Sequence, residues 1–219
     1  MIKNNKFLFA ALLFISLSML FNFPFPHNHP FGEEILYLVN IPVTNSNGFQ
    51  FIGILSFSFL VVGVFFLWHS FDKYKGRMTI LALVLSLLLP TFLVYMFQRT
   101  IAPGIYAVSY QKDKSGCSFE KINESMIQAE CDLFFENHSG KDVFFSIDFN
   151  EEYLYEENQQ ILELMNKIGT YSVRLEPNEF KVVNIESEIE IVNLEKIIYT
   201  GSARYIPLKI RSGKIVREL

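Results

Sequence analysis

Long uncharged apolar stretches fill the first half of the chain, and short runs of alternating apolar and polar residues fill the second. The long stretches are residues 7–23, 51–68 and 79–98, and they contain 17, 18 and 20 residues. A helix of about 20 residues, within a range of about 17 to 25, crosses the hydrocarbon core of a bilayer. The pattern therefore predicts a membrane α-helical region of three transmembrane helices within residues 1–98.

Two features of these spans have alternative interpretations. The basic leader Met1–Lys6 is also typical of a secretory signal, but the bulky run Met19–Phe25 lacks a small-x-small cleavage site, so we favour a retained anchor. Pro90 in the third span fits a functional broken helix or a simple kink, and the kink is the commoner case. The spans contain no Asp, Glu, Lys, Arg or His, which argues against a pump, a proton-coupled transporter or a channel for charged substrates.

Residues 99–219 show the period-two alternation of half-buried strands. The clearest run is Met126–Phe135, and Val143–Phe149 repeats it after a predicted hairpin turn at Asn137–Gly140. Helical spacing over Asn158–Gly169 predicts one short helix. Further strands are predicted over residues 106–111, 116–122, 171–175, 180–191, 206–210 and 214–219. Seven or eight short strands predict an all-β antiparallel sandwich.

Two turns near the end of this region carry a resemblance. The turn Leu175–Glu179 ahead of the strand at Phe180, and the terminal hairpin around Ser212–Gly213, resemble those of bacterial extracytoplasmic immunoglobulin-like sandwich modules. The resemblance implies an immunoglobulin-like β-sandwich over about half the chain. It implies the fold alone, because such sandwiches carry many unrelated functions.

Composition and charge separate the same two halves. The chain is 50% hydrophobic and 19% charged, which excludes one globular enzyme domain of the whole length and a disordered chain. Residues 1–98 contain 5 basic and 3 acidic side chains, and residues 99–219 contain 14 and 20. The basic residues of the first half lie in Met1–Lys6 and in the loop Phe71–Arg77, whereas Pro24–Gln50 has none. The positive-inside rule therefore predicts a cytoplasmic N-terminus and extracytoplasmic residues 99–219.

The two cysteines, Cys117 and Cys131, both lie in the predicted outer domain. Disulfides persist in oxidising compartments, so their position agrees with the predicted orientation. Each cysteine shares the parity of a core residue, Phe119 or Leu133, on neighbouring predicted strands. We expect a structural disulfide here, because the alternative, a redox-active pair, would need a short spacing and a helix start to lower a thiol pKa.

Histidines and carboxylates provide the only other candidates for chemistry. His27 and His29, with Glu33 and Glu34, are the residue types of a metal site, but the surrounding prolines and phenylalanines favour a loop at the membrane interface. His138, the single histidine of the outer domain, is placed by the pattern on an exposed hairpin tip, which is a poor position for a catalytic base. An acidic cluster lacks the spacing of a calcium loop and fits a solvated connection; it comprises Glu151, Glu152, Glu156 and Glu157. We therefore predict no catalytic residue, no metal site and no cofactor.

The last strands are locally basic, with Arg204, Lys209, Arg211, Lys214 and Arg217 against Glu218. Such a face suits anionic lipid or an acidic envelope polymer, but outward-facing residues of edge strands are the commoner explanation. The outer half is net acidic, so nucleic acid is not an expected partner. Asn123 and Asn137 begin sequons, which matter only in a glycosylating host.

These observations favour a multi-pass plasma-membrane protein that displays a disulfide-pinned β-sandwich for protein or envelope binding and has no enzymatic role. The expected partners are membrane lipid and another envelope or membrane protein. The alternative is an accessory subunit of a membrane transporter or signalling complex, in which the spans make the decisive contacts. A third hypothesis, an envelope hydrolase or thiol enzyme, would depend on His138 or the cysteines.

Overall fold

The chain forms two compact units, Met1–Met96 and Phe97–Leu219. A computed structural model describes residues 2–27, 29–39, 41, 43, 51–123, 125–150, 156–190 and 200–219, with the main chain only for residues 156–161 and 200. Four α-helices, all begun within the first unit, are α1 (Asn5–Phe21), α2 (Phe31–Leu38), α3 (Phe51–Ser70) and α4 (Lys75–Thr100). The second unit contains a short 3₁₀ turn over Gly104–Ala107, one α-helix and two β-sheets.

Two of the helices, α3 and α4, are long and apolar enough to cross a membrane. They contain 20 and 26 residues, and their side chains are largely exposed. The third predicted span corresponds to α4, which continues through Pro90. The first predicted span corresponds to α1, which is apolar but shorter, at 17 residues. Asn4 is the N-cap of α1, because its Oδ1 accepts hydrogen bonds from the amides of Lys6 and Phe7.

Helices α1 and α3 pack closely against each other. Gly63 of α3 permits this contact, because a Cβ atom at that position would meet the side chain of Ile15 at 2.7 Å. Elsewhere along the same pair of helices, the buried hydroxyls of Ser18 and Ser56 lie 3.1 Å apart, and Ser56 also donates to the carbonyl of Ser18. Small residues and hydroxyl pairs of this kind hold helices together where the surroundings are apolar.

Helix α2 lies in a segment that the sequence predicts as a loop. Pro30 is the N-cap of α2, and Glu33 and Glu34 occupy its first turn. Proline has no amide hydrogen and is therefore tolerated at a helix start, and acidic residues there interact favourably with the helix dipole. The loop prediction is confirmed for the described residues 24–27 and 29–30 and is wrong for residues 31–38, because Pro30 can begin a helix as well as prevent one.

The second unit contains two antiparallel sheets, an arrangement compatible with a β-sandwich. Its strands are β1 (Val108–Tyr110), β2 (Gly116–Asn123), β3 (Met126–Asn137), β4 (Val143–Phe149), β5 (Tyr171–Leu175), β6 (Phe180–Glu190), β7 (Thr200–Arg204), β8 (Leu208–Ser212) and β9 (Ile215–Glu218). In the first sheet, β3 pairs with β6 on one side and with β2 and then β1 on the other, and β2 pairs with β7. The second sheet has the order β5-β4-β8-β9.

One hydrophobic core lies between the sheets. Alternate residues of β3 are buried, as are alternate residues of β4, and they meet in contacts such as Phe135 with Phe145, whose ring centroids are 5.4 Å apart. The helix predicted near residue 158 is α5 (Glu156–Ile168), which contributes Leu162 and Met165 to this core. The side chain of Asn166 fixes α5 to β4 by bonding both the amide and the carbonyl of Phe149.

The sheets differ from the sequence-based prediction in two respects. β3 and β4 do not form a hairpin, since the turn after Asn137 carries the chain from one sheet to the other. β7 is an additional strand, which was missed because Thr200, Gly201 and Ser202 lack an apolar alternation. The predicted terminal hairpin is present, with Gly213 at a φ of 60° between β8 and β9.

Candidate functional site

The two cysteines lie directly opposite each other on β2 and β3. The sulfur atoms of Cys117 and Cys131 are 1.97 Å apart, which is a disulfide distance, and both residues are buried. They face the core, so the opposite face of the same strands is exposed. The disulfide therefore pins the two strands that carry the surface described next.

The outward face of β2, β3 and β6 carries six exposed carboxylates, which we call the acidic face, and the half-buried Glu136: the six are Glu120, Glu130, Asp132, Glu186, Glu188 and Glu190. They share one face because the residues between them, such as Phe119, Cys131 and Ile185, are buried. Each of the six is exposed to solvent. Alternation along each strand and the pairing register together produce this concentration of charge.

The acidic face has little internal compensation. Glu130 and Glu186 are directly opposite each other across the β3–β6 pair, where like charges repel. Neutral amides bind two of the carboxylates, with Gln128 donating to Glu130 at 2.7 Å and Asn184 donating to Asp132. Within the described ranges, none of the six carboxylates takes part in an ion pair.

Strand β6 is an edge of its sheet over 11 residues. Among the residues that the structure describes, it pairs with β3 only. At its start the exposed face becomes apolar, because Val182 lies opposite Phe134 and the ring of Phe180 is 6.1 Å from the ring of Phe134. An edge strand presents backbone amides and carbonyls that a further strand can bind.

A polar network occupies the corner where β1 meets the end of β3. His138 Nε2 lies 3.0 Å from the hydroxyl of Ser109, and His138 Nδ1 lies 3.3 Å from Glu136. Arg99 also approaches Glu136, at 3.9 Å. Burial lowers the pKa of His138, the carboxylate of Glu136 opposes that effect, and Arg99 lowers the pKa further.

The network corrects the prediction that His138 lies on an exposed hairpin tip, because its side chain is only 9% exposed. A serine, a histidine and a carboxylate in this order are the groups of a nucleophile relay, which was the basis of the hydrolase hypothesis. Here, however, Ser109 and Glu136 are paired residues of adjacent strands, and Glu136 is shared with Arg99. We therefore interpret the network as a structural contact in which His138 links Ser109 of β1 to Glu136 of β3.

A cleft of about 530 Å³ lies near this corner, and we call it the exit cleft. One wall is the chain leaving α4, residues 98–104, and the other is the turn at residues 139–143. Gln98 fixes the first wall by donating to the carbonyls of Tyr106 and Val108. Asn137 fixes the second by donating to the carbonyls of Lys141 and Glu176, each at 2.8 Å.

The remaining candidates are dispersed. The rings of His27 and His29 stack with centroids 5.2 Å apart, and His27 lies 3.8 Å from Glu34, while burial raises the pKa of Glu33. The described part of the chain contains no group of three or more metal-ligating side chains. Of the acidic cluster, Glu151 and Glu152 lie outside the described residues, and so do the side chains of Glu156 and Glu157.

The basic residues of the last strands do not form one outward face. Lys209 pairs with Glu218 at 3.2 Å, and Arg211 lies 3.7 Å from Asp148. Arg217 is buried and donates to the carbonyls of Ile105 and Val108, and burial lowers its pKa to about 10. Among the described β-strands, charges of one sign are therefore concentrated on the acidic face. This surface was not predicted from the sequence, although the alternation of Ile185, Glu186 and Glu188 indicated part of it.

In comparisons with known proteins, no family model, no curated protein and no solved structure matches this chain.

Proposed function

We propose that this chain is a multi-pass plasma-membrane protein whose extracytoplasmic, immunoglobulin-like β-sandwich binds an extended basic segment of another envelope protein. α1, α3 and α4 are the three spans, the N-terminus is cytoplasmic, and residues 99–219 lie outside. The observation that supports the binding role is that the acidic face lies beside an edge of β6 that pairs with no further strand among the described residues.

Strand addition explains how such a partner would bind. An extended peptide placed along β6 forms main-chain hydrogen bonds, and its side chains alternate between the two faces of the sheet. Lysine or arginine at every second position would then lie next to Glu186, Glu188 and Glu190. An apolar residue at the end of the segment would reach Phe180 and Val182, which are both exposed.

A second copy of the same chain is a poor occupant of this edge. Pairing β6 with β6 would bring glutamates of one copy against glutamates of the other, and like charges across an interface are unfavourable. The charge of the acidic face thus selects a basic partner and opposes self-association through β6.

A binding measurement on the full chain in detergent tests this proposal. The probe is a peptide with lysine at alternate positions and a terminal leucine, compared with a peptide that has glutamate at the same positions. We expect only the lysine peptide to bind, binding to weaken as salt is raised, and N-methylation of its alternate amides to abolish it. The variant Glu186→Lys should weaken binding, whereas Asp113→Lys, an equal charge change on an exposed turn, should not. Equal binding to both variants would contradict the proposal.

The membrane topology has a separate test. Protease added to intact cells should digest residues 99–219, and both cysteines should resist alkylation until a reductant is added. Protection of this region in intact cells, with digestion only after the membrane is opened, would contradict the orientation.

One observation favours the second candidate, an accessory subunit of a membrane transporter or signalling complex. In the apolar stretch of α4 only 6% of the residues are buried, whereas 22% are buried in that of α3. The surface of α4 is therefore available to lipid or to a helix of another protein. A polytopic protein that co-elutes in mild detergent, and still does so after deletion of residues 104–219, would support this role over peptide binding.

A further inference from the structure

The exit cleft combines positive charge with exposed apolar surface. Arg99 and Lys141 line it from opposite walls, and Lys141 is exposed. Beside Arg99, Ile101 has 73% of its surface exposed, and Ala102 and Pro103 continue the apolar part of that wall. The cleft thus offers cations for an anion and a hydrophobic surface next to them.

Most negative charge near the cleft is already engaged. Among the described residues, Asp142 is the one carboxylate that lines it, and this side chain binds Arg174 at 2.9 Å. Glu136, the carboxylate near Arg99, is 3.9 Å away from it and also lies against His138. Lys141 forms no ion pair with any described residue. A ligand with negative charge is therefore favoured in the cleft over a cation.

The walls are fixed by buried side chains, so little ordering is needed when a ligand binds. Gln98 holds one wall through the carbonyls of Tyr106 and Val108. On the other wall, Asn137 accepts hydrogen bonds from the amide and the hydroxyl of Ser139 and donates to the carbonyl of Lys141. Both anchoring side chains are buried.

The cleft also has a defined place along the chain. Arg99 lies in the last turn of α4, a helix long and apolar enough to span a membrane, and Ile101 directly follows that helix. Residues at the end of a span lie at the level of the lipid headgroups, where basic side chains meet lipid phosphates and apolar side chains meet acyl chains. Arg99 therefore lies at the level where a phospholipid presents its phosphate.

We propose that the exit cleft binds the phosphate of an anionic phospholipid headgroup, with Arg99 and Lys141 as the charged ligands. This inference rests on the membrane anchoring in the proposed function and is independent of peptide binding at β6. A free phosphate offers the same anion without the acyl chain, so the two ligands can be separated by experiment.

The test uses the full chain in mild detergent micelles that contain equal amounts of phosphatidylglycerol and phosphatidylcholine. Native mass spectrometry counts the lipids retained by the protein. We expect a preference for phosphatidylglycerol that falls about fivefold in Lys141→Gln, equivalent to about 1 kcal/mol for one basic residue near an anionic surface. Arg99→Gln should have a similar effect and Arg99→Lys should retain most of the preference. Lys114→Gln, an exposed lysine in another turn, is the matched control.

Several outcomes would overturn the proposal. One is an absence of lipid preference, and another is a preference that Lys141→Gln and Arg99→Gln leave unchanged. Inorganic phosphate that displaces the lipid at equal concentration would identify the free anion as the ligand instead. Extraction of the membranes with alkaline carbonate separates this inference from its premise: release of the chain contradicts the anchoring, whereas a retained chain without lipid preference contradicts the cleft alone.

Discussion

Asn123 and Asn137 make the same local turn, but only Asn137 is buried. In each case the side-chain oxygen accepts hydrogen bonds from the amide and the hydroxyl of the serine two residues further on, Ser125 or Ser139. Asn137 additionally donates to two carbonyls, those of Lys141 and Glu176. A comparison of the two asparagines therefore tests what burial and the two donated hydrogen bonds of Asn137 contribute to stability.

Replacing Asn137 should destabilise the second unit far more than replacing Asn123. Asn137→Ala removes the two hydrogen bonds that this buried amide donates and the two that it accepts from Ser139, and we expect it to lower the free energy of unfolding by about 1 to 3 kcal/mol. Asn123→Ala, on an exposed turn, should change it by about 0.5 kcal/mol. Hydrogen exchange of the β3 amides as a function of urea measures both. Equal losses in the two variants would contradict the anchoring role of Asn137.

Periodicity was sufficient to predict elements, but it did not predict which elements pair. The alternation in β3 and β4 placed both strands correctly, and the helical spacing before Gly169 placed α5. The turn after Asn137 was assigned to a hairpin, although the chain crosses there to the second sheet. A turn motif specifies a local change of direction, whereas the strand that finally pairs is decided by the packing of distant core residues.

The candidate site also depends on which distant strands pair, and the local sequence pattern does not specify this. The alternating glutamates of β6 were visible in the sequence, but Glu186 lies opposite Glu130 because two strands that are distant in sequence pair with each other. The burial of His138 likewise depends on Ser109 and Glu136 being register partners. The disulfide could be predicted because the two cysteines lie on adjacent strands of matching parity.

The disulfide should account for a substantial part of the stability of the second unit. Cys117 and Cys131 are separated by 14 positions, and in the chain-entropy model closing a loop of this length contributes about 3 kcal/mol. We expect Cys117→Ala with Cys131→Ala to lose about that amount, and a reductant to destabilise the wild type but not the double variant. A reductant that leaves the urea midpoint of the wild type unchanged would contradict this assignment.

Acid should weaken the corner network through His138. Burial lowers the pKa of this imidazole below its ordinary value of 6.5, so the folded state binds fewer protons than the unfolded state in the interval between the two pKa values. The neutral imidazole of His138 therefore makes its full contribution to stability above pH 6.5. This contribution is lost as the pH falls from 6.5 through the folded-state pKa. Urea midpoints measured from pH 7.5 down to pH 5 should decrease more steeply for the wild type than for His138→Gln. Identical slopes would show that the titration of His138 is not coupled to folding.

Reversing one charge on the acidic face should stabilise the fold while weakening partner binding. Glu186→Lys replaces a like-charge pair with Glu130 by an opposite-charge pair, and we expect a gain of about 0.5 to 1 kcal/mol at low salt. Glu188→Lys is the matched control, because the residue opposite position 188 is the neutral Gln128, so its gain should be smaller. The difference between the two variants should shrink at about 1 M salt, where the screening length is about 3 Å.

The same pair of variants distinguishes a functional surface from ordinary surface charge. Binding sites commonly retain groups that lower stability, so the more stable Glu186→Lys protein should bind the alternating lysine peptide less tightly than the wild type. Parallel measurements of the urea midpoint and of peptide binding on each variant provide the comparison. If Glu186→Lys gained stability and kept full peptide affinity, the carboxylates of β6 would have no part in partner recognition, and the open edge alone would have to account for any binding.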